Sequence, residues 1–181
     1  MKLQSLLCYF TFLFFAASGL AQKATVDSLL TALPKTQNDI ARAELLNAIA
    51  EQYQATDPVL MQSYAAKALV LSSKIKHRVA EGNALQNLGN ANIIAGNYAK
   101  ALEFFSRAQQ LFERENRTSP VIQKALARVY GSIGIVFSEQ SNYAKALQYY
   151  LKAVSITEKL QDQQKTSKLF NNIGVVYQAL N

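Results

Sequence analysis

A hydrolytic nucleophile needs a base, and the 181-residue sequence has one histidine to supply it, His77. Any Ser-His-Asp arrangement must use that residue. It stands between Lys76 and Arg78 in the run KIKHR at Lys74–Arg78, which reads as the exposed end of a helix, where cations complement the helix dipole. Glu113 and Glu115 could act as an acid–base pair only if they faced one another. They lie two residues apart, a spacing that points side chains to different sides of a helix. Cys8 is the only cysteine and no His-Glu metal spacing occurs, so neither a catalytic residue, nor a metal, nor a cofactor is expected. The tripeptide Asn116–Thr118 matches a glycosylation acceptor, which matters only in a host that glycosylates.

The chain that must position any site is half apolar, enough to bury a sizeable core. Residues 1–21 stand apart from it. Lys2, the apolar run Leu6–Ala17 and the small-residue end SGLA before Gln22 have the order of a secretory signal cleaved after Ala21. The run is shorter than the roughly 20 residues of a membrane helix. Leu7 precedes Cys8 where a lipoprotein signal requires a small residue, so no lipid anchor is expected. Without its signal the chain has no cysteine and rests on packing rather than disulfides. The net charge of +7 loses one unit with Lys2. Scattered lysines without interleaved aromatics do not build a nucleic-acid surface, which an exported chain would rarely need.

Internal repetition organises the remainder. Asn-Tyr-Ala-Lys-Ala-Leu occurs at Asn97–Leu102 and again at Asn142–Leu147. Leu46, Ile49, Ala50 and Tyr53 have the same spacing as Leu85, Leu88, Gly89 and Asn92. So do Tyr130, Ile133, Gly134 and Phe137, and then Phe170, Ile173, Gly174 and Tyr177. The two middle blocks are followed by Ala101, Phe105, Ala108 and by Ala146, Tyr150, Ala153, and the first by a blurred version ending at Ala68. In the segment AGNY, Gly96 can end one helix in the left-handed conformation and Asn97 can cap the next. Tyr98, Ala101, Leu102 and Phe105 then share one helical face.

These positions resemble the tetratricopeptide repeat, in which a large residue, Leu-Gly, Tyr, and then Ala with an aromatic recur. The resemblance covers nearly all of the exported chain. It implies an all-α fold, a right-handed solenoid of antiparallel helix pairs A and B. A glycine inside helix A costs about 1 kcal/mol against alanine, and close approach of helix B is the compensating reason. The implied division is a signal peptide over 1–21, an N-terminal segment or helix over 22–37 and a repeat array over 38–181. Its units fall near 43–78, 82–117 and 127–162, with a partial one at 167–181. Ala50, Gly89, Gly134 and Gly174 lie 39, 45 and 40 residues apart instead of about 34, which implies longer helices. The largest excess falls on NRTSP, a loop where Ser119 can cap and Pro120 can open a helix.

Asparagine before the Leu-Gly pair, in NLG at Asn87 and NIG at Asn172, is similar to the longer repeats of kinesin light chain and of bacterial signalling regulators. That likeness implies that Asn87 and Asn172 face a concave groove and bond the main chain of an extended peptide, with Ser132 in the corresponding place between them. Further groove candidates on helix A are Asn83, Gln86 and Asn90, then Arg128, Ile135 and Ser138, then Lys168, Asn171 and Gln178. Amides offer both a donor and an acceptor, which suits a peptide backbone. The carboxylate-clamp variety needs a lysine where Gln86 stands, so only Asn90 fits it.

The last helix A, from about Lys165 to Asn181, carries Leu169, Phe170, Ile173, Val176, Tyr177 and Leu180 and lacks the polar outer face of a closing helix. A continuing helix, another chain or self-association is expected to cover it. The functional expectation is a non-enzymatic interaction module, periplasmic or secreted, that binds a protein or peptide partner in its groove and no nucleic acid. It resembles the exported N-terminal sensor segments of signal-transduction proteins. Their membrane tether and kinase or DNA-binding output domain would lie beyond residue 181. A standalone envelope assembly scaffold and, from another class, a helical envelope hydrolase remain alternatives.

Overall fold

Short polar residues and prolines set where the helices begin. The computed structural model describes residues 24–180. The expected signal peptide, its cleavage site and Cys8 lie outside them. Helix α1 spans 24–32 and runs into a 3₁₀ turn at Leu33–Lys35. There follow α2 (Asp39–Gln52), α3 (Pro58–Lys74), α4 (Arg78–Ile94), α5 (Tyr98–Glu113), α6 (Pro120–Glu139), α7 (Tyr143–Lys159) and α8 (Gln163–Leu180). No strand occurs among the described residues, and the fold is all-α. Asn38 Oδ1 accepts the N–H of Ala41 at 3.0 Å, and Asp57 Oδ1 accepts those of Val59 and Leu60 at 3.0 and 2.9 Å. Asp162 serves Lys165 in the same way at 3.1 Å. Donors of the first turn that have no helical partner are satisfied by these caps.

The corners after α3, α4, α6 and α7 share one backbone solution. Lys76, Gly96, Ser141 and Gln161 take φ values of 56°, 73°, 57° and 55°. The next N–H then reaches back five residues: His77 to Ser72 O at 2.9 Å, Asn97 to Asn92 O at 2.8 Å, Asn142 to Phe137 O at 2.8 Å and Asp162 to Thr157 O at 2.9 Å. This is the Schellman closure of a helix end. Glycine fills the left-handed position only after α4. The repeated hexapeptide does follow such a corner in both copies, but the caps differ. Asn142 accepts the N–H of Lys145 at 3.3 Å, whereas Asn97 makes no side-chain cap bond.

The cationic run at Lys74–Arg78 ends one helix and also opens the next. Helix α3 stops at Lys74, Lys76 makes the turn, and His77 Nδ1 accepts the N–H of Ala80 at 3.2 Å as the cap of α4, which begins at Arg78. Helices α4 and α6 therefore start at Arg78 and Pro120, ahead of the unit starts expected at 82 and 127. Much of the extra length of the long repeat extends helix A at its front.

The helices pair as hairpins, α2 with α3, α4 with α5 and α6 with α7, and each pair leans on the next. Small residues let them close. Ala101, Ala108, Ala146 and Ala153 are fully buried. A Cβ on Gly89 would strike the ring of Phe105, one on Gly134 the ring of Tyr150, and one on Gly82 the ring of Phe112. The helical cost of each glycine, about 1 kcal/mol, is offset by burial of a large side chain, worth about 1.5–3 kcal/mol. Phe105, Phe112, Val129 and Val136 belong to one cluster joining α4, α5 and α6. Tyr150, Val154, Ile173 and Val176 form the core between α7 and α8.

Candidate interaction groove

Helices α2, α4, α6 and α8, the A helices, stand side by side on one surface. They line a cavity of about 920 Å³. Its wall carries Glu51 from α2, Asn83, Gln86, Asn87 and Asn90 from α4, Lys124, Arg128, Ser132 and Ile135 from α6, and Lys165, Lys168 and Asn172 from α8.

Asn83, Asn87, Asn90, Arg128 and Ser132 hold the repeats to one another. Arg128 Nη1 donates to Glu51 Oε1 at 3.0 Å and Nη2 to Asn83 Oδ1 at 2.8 Å, so one guanidinium joins α6 to α2 and α4. Ser132 Oγ donates to Asn90 Oδ1 at 2.9 Å. Asn87 is only 2% exposed, and its Nδ2 donates to Asn47 O at 3.2 Å. Asn47 Nδ2 in turn donates to Ala80 O at 2.9 Å, fastening α2 to the first turn of α4. Gln86 is 5% exposed, and its Oε1 is buried with no partner among the described residues.

Asn87 lines the cavity, and its amide also fastens one repeat to the next. Buried amides are stable only when bonded, and the neighbouring repeat supplies the bond before any ligand arrives. Asn171 and Gln178 are exposed on α8 and do not line the cavity. Asn171 occupies the register position of Gln86 and Gly131, and the latter faces Leu169 of the next helix A. That position looks toward the following repeat, which on α8 has no described counterpart. Ser138 is also outside the cavity; it hydrogen-bonds Tyr150 of α7. What the wall still offers are the Nδ2 groups of Asn83 and Asn90, together with Asn172 and the ammonium groups of Lys124, Lys165 and Lys168. None of these makes a side-chain bond among the described residues.

Asn47 and Glu51 were not among the sequence candidates, although a signal for them exists. Counted from Ala50 and Gly89, Asn47 shares the register position of Gln86, and Glu51 that of Asn90. The titration shifts lie in the aromatic layer behind the groove. Burial pushes the Tyr150 hydroxyl up to about 12, against a lowering effect of its bond with Ser138. Tyr130 is raised by burial and then by the charge of Glu113, whose Oε1 lies 3.4 Å from its hydroxyl. No three metal-ligating side chains cluster among the described residues, and no helix there is long and apolar enough to cross a membrane.

Stacked helical hairpins closed by glycine–aromatic contacts, with one helix of each pair lining a common surface, define an α-solenoid. Residues 82–115 and 127–160 each match the tetratricopeptide repeat family, and both segments are tetratricopeptide repeats. Two solved structures share its fold. BtubC (BKLC) from P. vanneervenii superposes with a TM-score of 0.65 at 17% identity, over 88% of this chain and 64% of that one. The apo form of RapI gives a TM-score of 0.66 at 20% identity, over 88% of this chain and 44% of that one. The chain thus spans less than two thirds of the length of either. No curated protein matches it.

Proposed function

We propose that the protein is an exported, non-enzymatic interaction scaffold that holds an extended, acid-rich peptide segment in the cavity between its A helices. The observation that carries this reading is the chemistry left on the wall. Asn83 and Asn90 have their acceptor oxygens tied to Arg128 and Ser132, which leaves donors toward the cavity. Around them Lys124, Arg128, Lys165 and Lys168 outnumber Glu51 and Asp162. Amide donors suit main-chain carbonyls, and the cationic surplus favours carboxylate side chains.

Export follows from the signal order of residues 1–21. The role as sensor segment of a histidine kinase or DNA-binding regulator rests on the resemblance to such exported arrays. Amino-terminal sequencing of the secreted product should begin at Gln22, and retention of Met1 would remove the export reading. For the groove, a labelled peptide of alternating glutamate and serine is titrated into the protein beside its lysine counterpart. The acidic peptide should bind, more weakly as salt rises, and the combined Lys124→Ala and Lys168→Ala variant should lose about three- to tenfold in affinity. Equal binding of both peptides would sink the groove reading.

A further inference from the structure

One polar side chain in the groove wall is buried without holding the repeats together. Gln86 on α4 is 5% exposed and lines the cavity. Its Oε1 has no hydrogen-bond partner, and its amide makes no side-chain bond at all among the described residues. A buried carbonyl in that condition costs the folded chain stability. The solenoid does not require it. At the same register position α2 has Asn47, whose Nδ2 donates to Ala80 O at 2.9 Å, and α6 has Gly131, with no side chain to satisfy.

A second unpaired atom lies in the same wall. Arg128 Nε is buried and without an acceptor among the described residues, although both Nη atoms of that guanidinium are bonded, to Glu51 and Asn83. Helices α4 and α6 are tied on either side of Gln86. Asn83, three residues before it, accepts from Arg128 at 2.8 Å, and Asn90, four residues after it, accepts from Ser132 at 2.9 Å. Residues at those spacings share one helical face. An acceptor lacking a donor and a donor lacking an acceptor thus stand in one short stretch of the α4–α6 seam. Because neither amide atom of Gln86 is bonded, the amide can turn its oxygen toward a ligand without breaking a hydrogen bond.

We propose that this stretch of the seam is a subsite for a carboxamide, the side chain of an asparagine or glutamine in the bound segment. The subsite rests on the groove reading given above. With main-chain carbonyls on the Nδ2 groups of Asn83 and Asn90, the part of the ligand that reaches between them is a side chain. A carboxamide supplies both missing partners, an N–H for Gln86 Oε1 and a carbonyl for Arg128 Nε. A carboxylate supplies acceptors alone. It leaves Oε1 without a donor and adds an anion to a guanidinium already paired with Glu51, and like charges brought together oppose binding. An aliphatic side chain leaves both atoms unpaired, which is costly in a buried place. The cations attract acidic residues along the rest of the groove, and at this one place an uncharged amide is selected.

The test uses four peptides, the alternating glutamate–serine sequence and three versions with its central serine replaced by glutamine, glutamate or leucine, each titrated into the protein. The glutamine peptide should bind about fivefold or more tighter than the glutamate and leucine peptides. Gln86→Met, similar in length and volume, should shrink that preference to about twofold or less. Its unfolding midpoint should hold or rise, because an unpaired buried carbonyl has been removed. A glutamine that is only structural gives the opposite result, a lower midpoint with the ranking of the peptides unchanged. A lower midpoint in Gln86→Met, a glutamine peptide that binds no tighter than the other two, or a preference that survives the substitution each overturns the proposal. If the glutamate–serine peptide binds and the preference is absent, the subsite is lost and the groove reading stands. If none of the four peptides binds, both fall together.

Discussion

Arg128 and Glu51 meet at 3.0 Å although 77 residues separate them. The side chain leaves α6, donates to Asn83 of α4 on its way at 2.8 Å, and ends on α2. A solenoid is otherwise held by contacts between neighbouring repeats. This strut spans two of them on the groove face and holds α2 and α6 at the separation that shapes the cavity.

Both partners of that ion pair are partly exposed, so its worth to stability is about 1 kcal/mol or less. Arg128→Ala should accordingly lower the unfolding free energy by no more than about 1 kcal/mol while weakening binding of the acidic peptide. Arg128→Lys should not rescue binding, because an ammonium cannot serve Glu51 and Asn83 with a fixed fork. Urea unfolding and peptide titration on the same samples separate the two effects. A large loss of stability with intact binding would make the strut purely structural.

Glycines at equivalent register positions should respond oppositely to the same substitution. Gly89→Ala and Gly134→Ala force a methyl against the buried rings of Phe105 and Tyr150 and should cost about 1–3 kcal/mol. Gly174→Ala meets no described atom within 4 Å and should stabilise α8 by up to about 1 kcal/mol. Denaturant midpoints of the three variants decide it. A comparable loss at Gly174 would mean that a side chain already covers it.

The same contrast explains how much could be read from sequence. Ala101, Phe105 and Gly89, and their counterparts in the next unit, were legible because two helices in close contact admit only small residues opposite a ring. Gly82 carries no such mark, although Phe112 packs on it as Phe105 packs on Gly89. The next unit has Ala127 and Thr157 at those places, so no repeat marks the pair. The corner at Gly96 was legible, but those at Lys76, Ser141 and Gln161 were not. Their side chains do not favour positive φ, and the backbone closure imposes it. In the groove, the periodic placement of Asn83, Gln86, Asn87 and Asn90 was visible. Their partners were not, because a bond such as Asn87 to Asn47 depends on how the repeats lean together rather than on periodicity.

Asn87 and Asn47 should behave as core residues. Asn87→Ala removes the bond to Asn47 O, and Asn47→Ala the bond to Ala80 O, while each carbonyl keeps its helical donor. Loss of such a buried hydrogen bond costs about 0.5–1.5 kcal/mol. Thermal or urea unfolding should show that loss for either single variant. The double variant should cost less than the sum, because the two amides share one network. Strict additivity, or no loss for Asn87→Ala, would return Asn87 to the set of solvated groove residues.

Alkaline pH tests the packing of α7 against α6. Tyr150 is buried, and its hydroxyl is pushed up to about 12 from an ordinary value near 10. The folded state then holds the proton more tightly than the unfolded chain. The stabilising contribution is fully present below about pH 10 and is lost as pH rises through about 12. A difference of that size corresponds to about 2–3 kcal/mol. Tyr130, raised by burial and by Glu113, acts in the same direction. The urea midpoint should therefore fall between pH 10 and 12, and the fall should be shallower in Tyr150→Phe, which has no proton to lose. Parallel curves for the two proteins would show that the Tyr150 hydroxyl reaches water, and that its ring does not close over Gly134 as tightly as the structure has it.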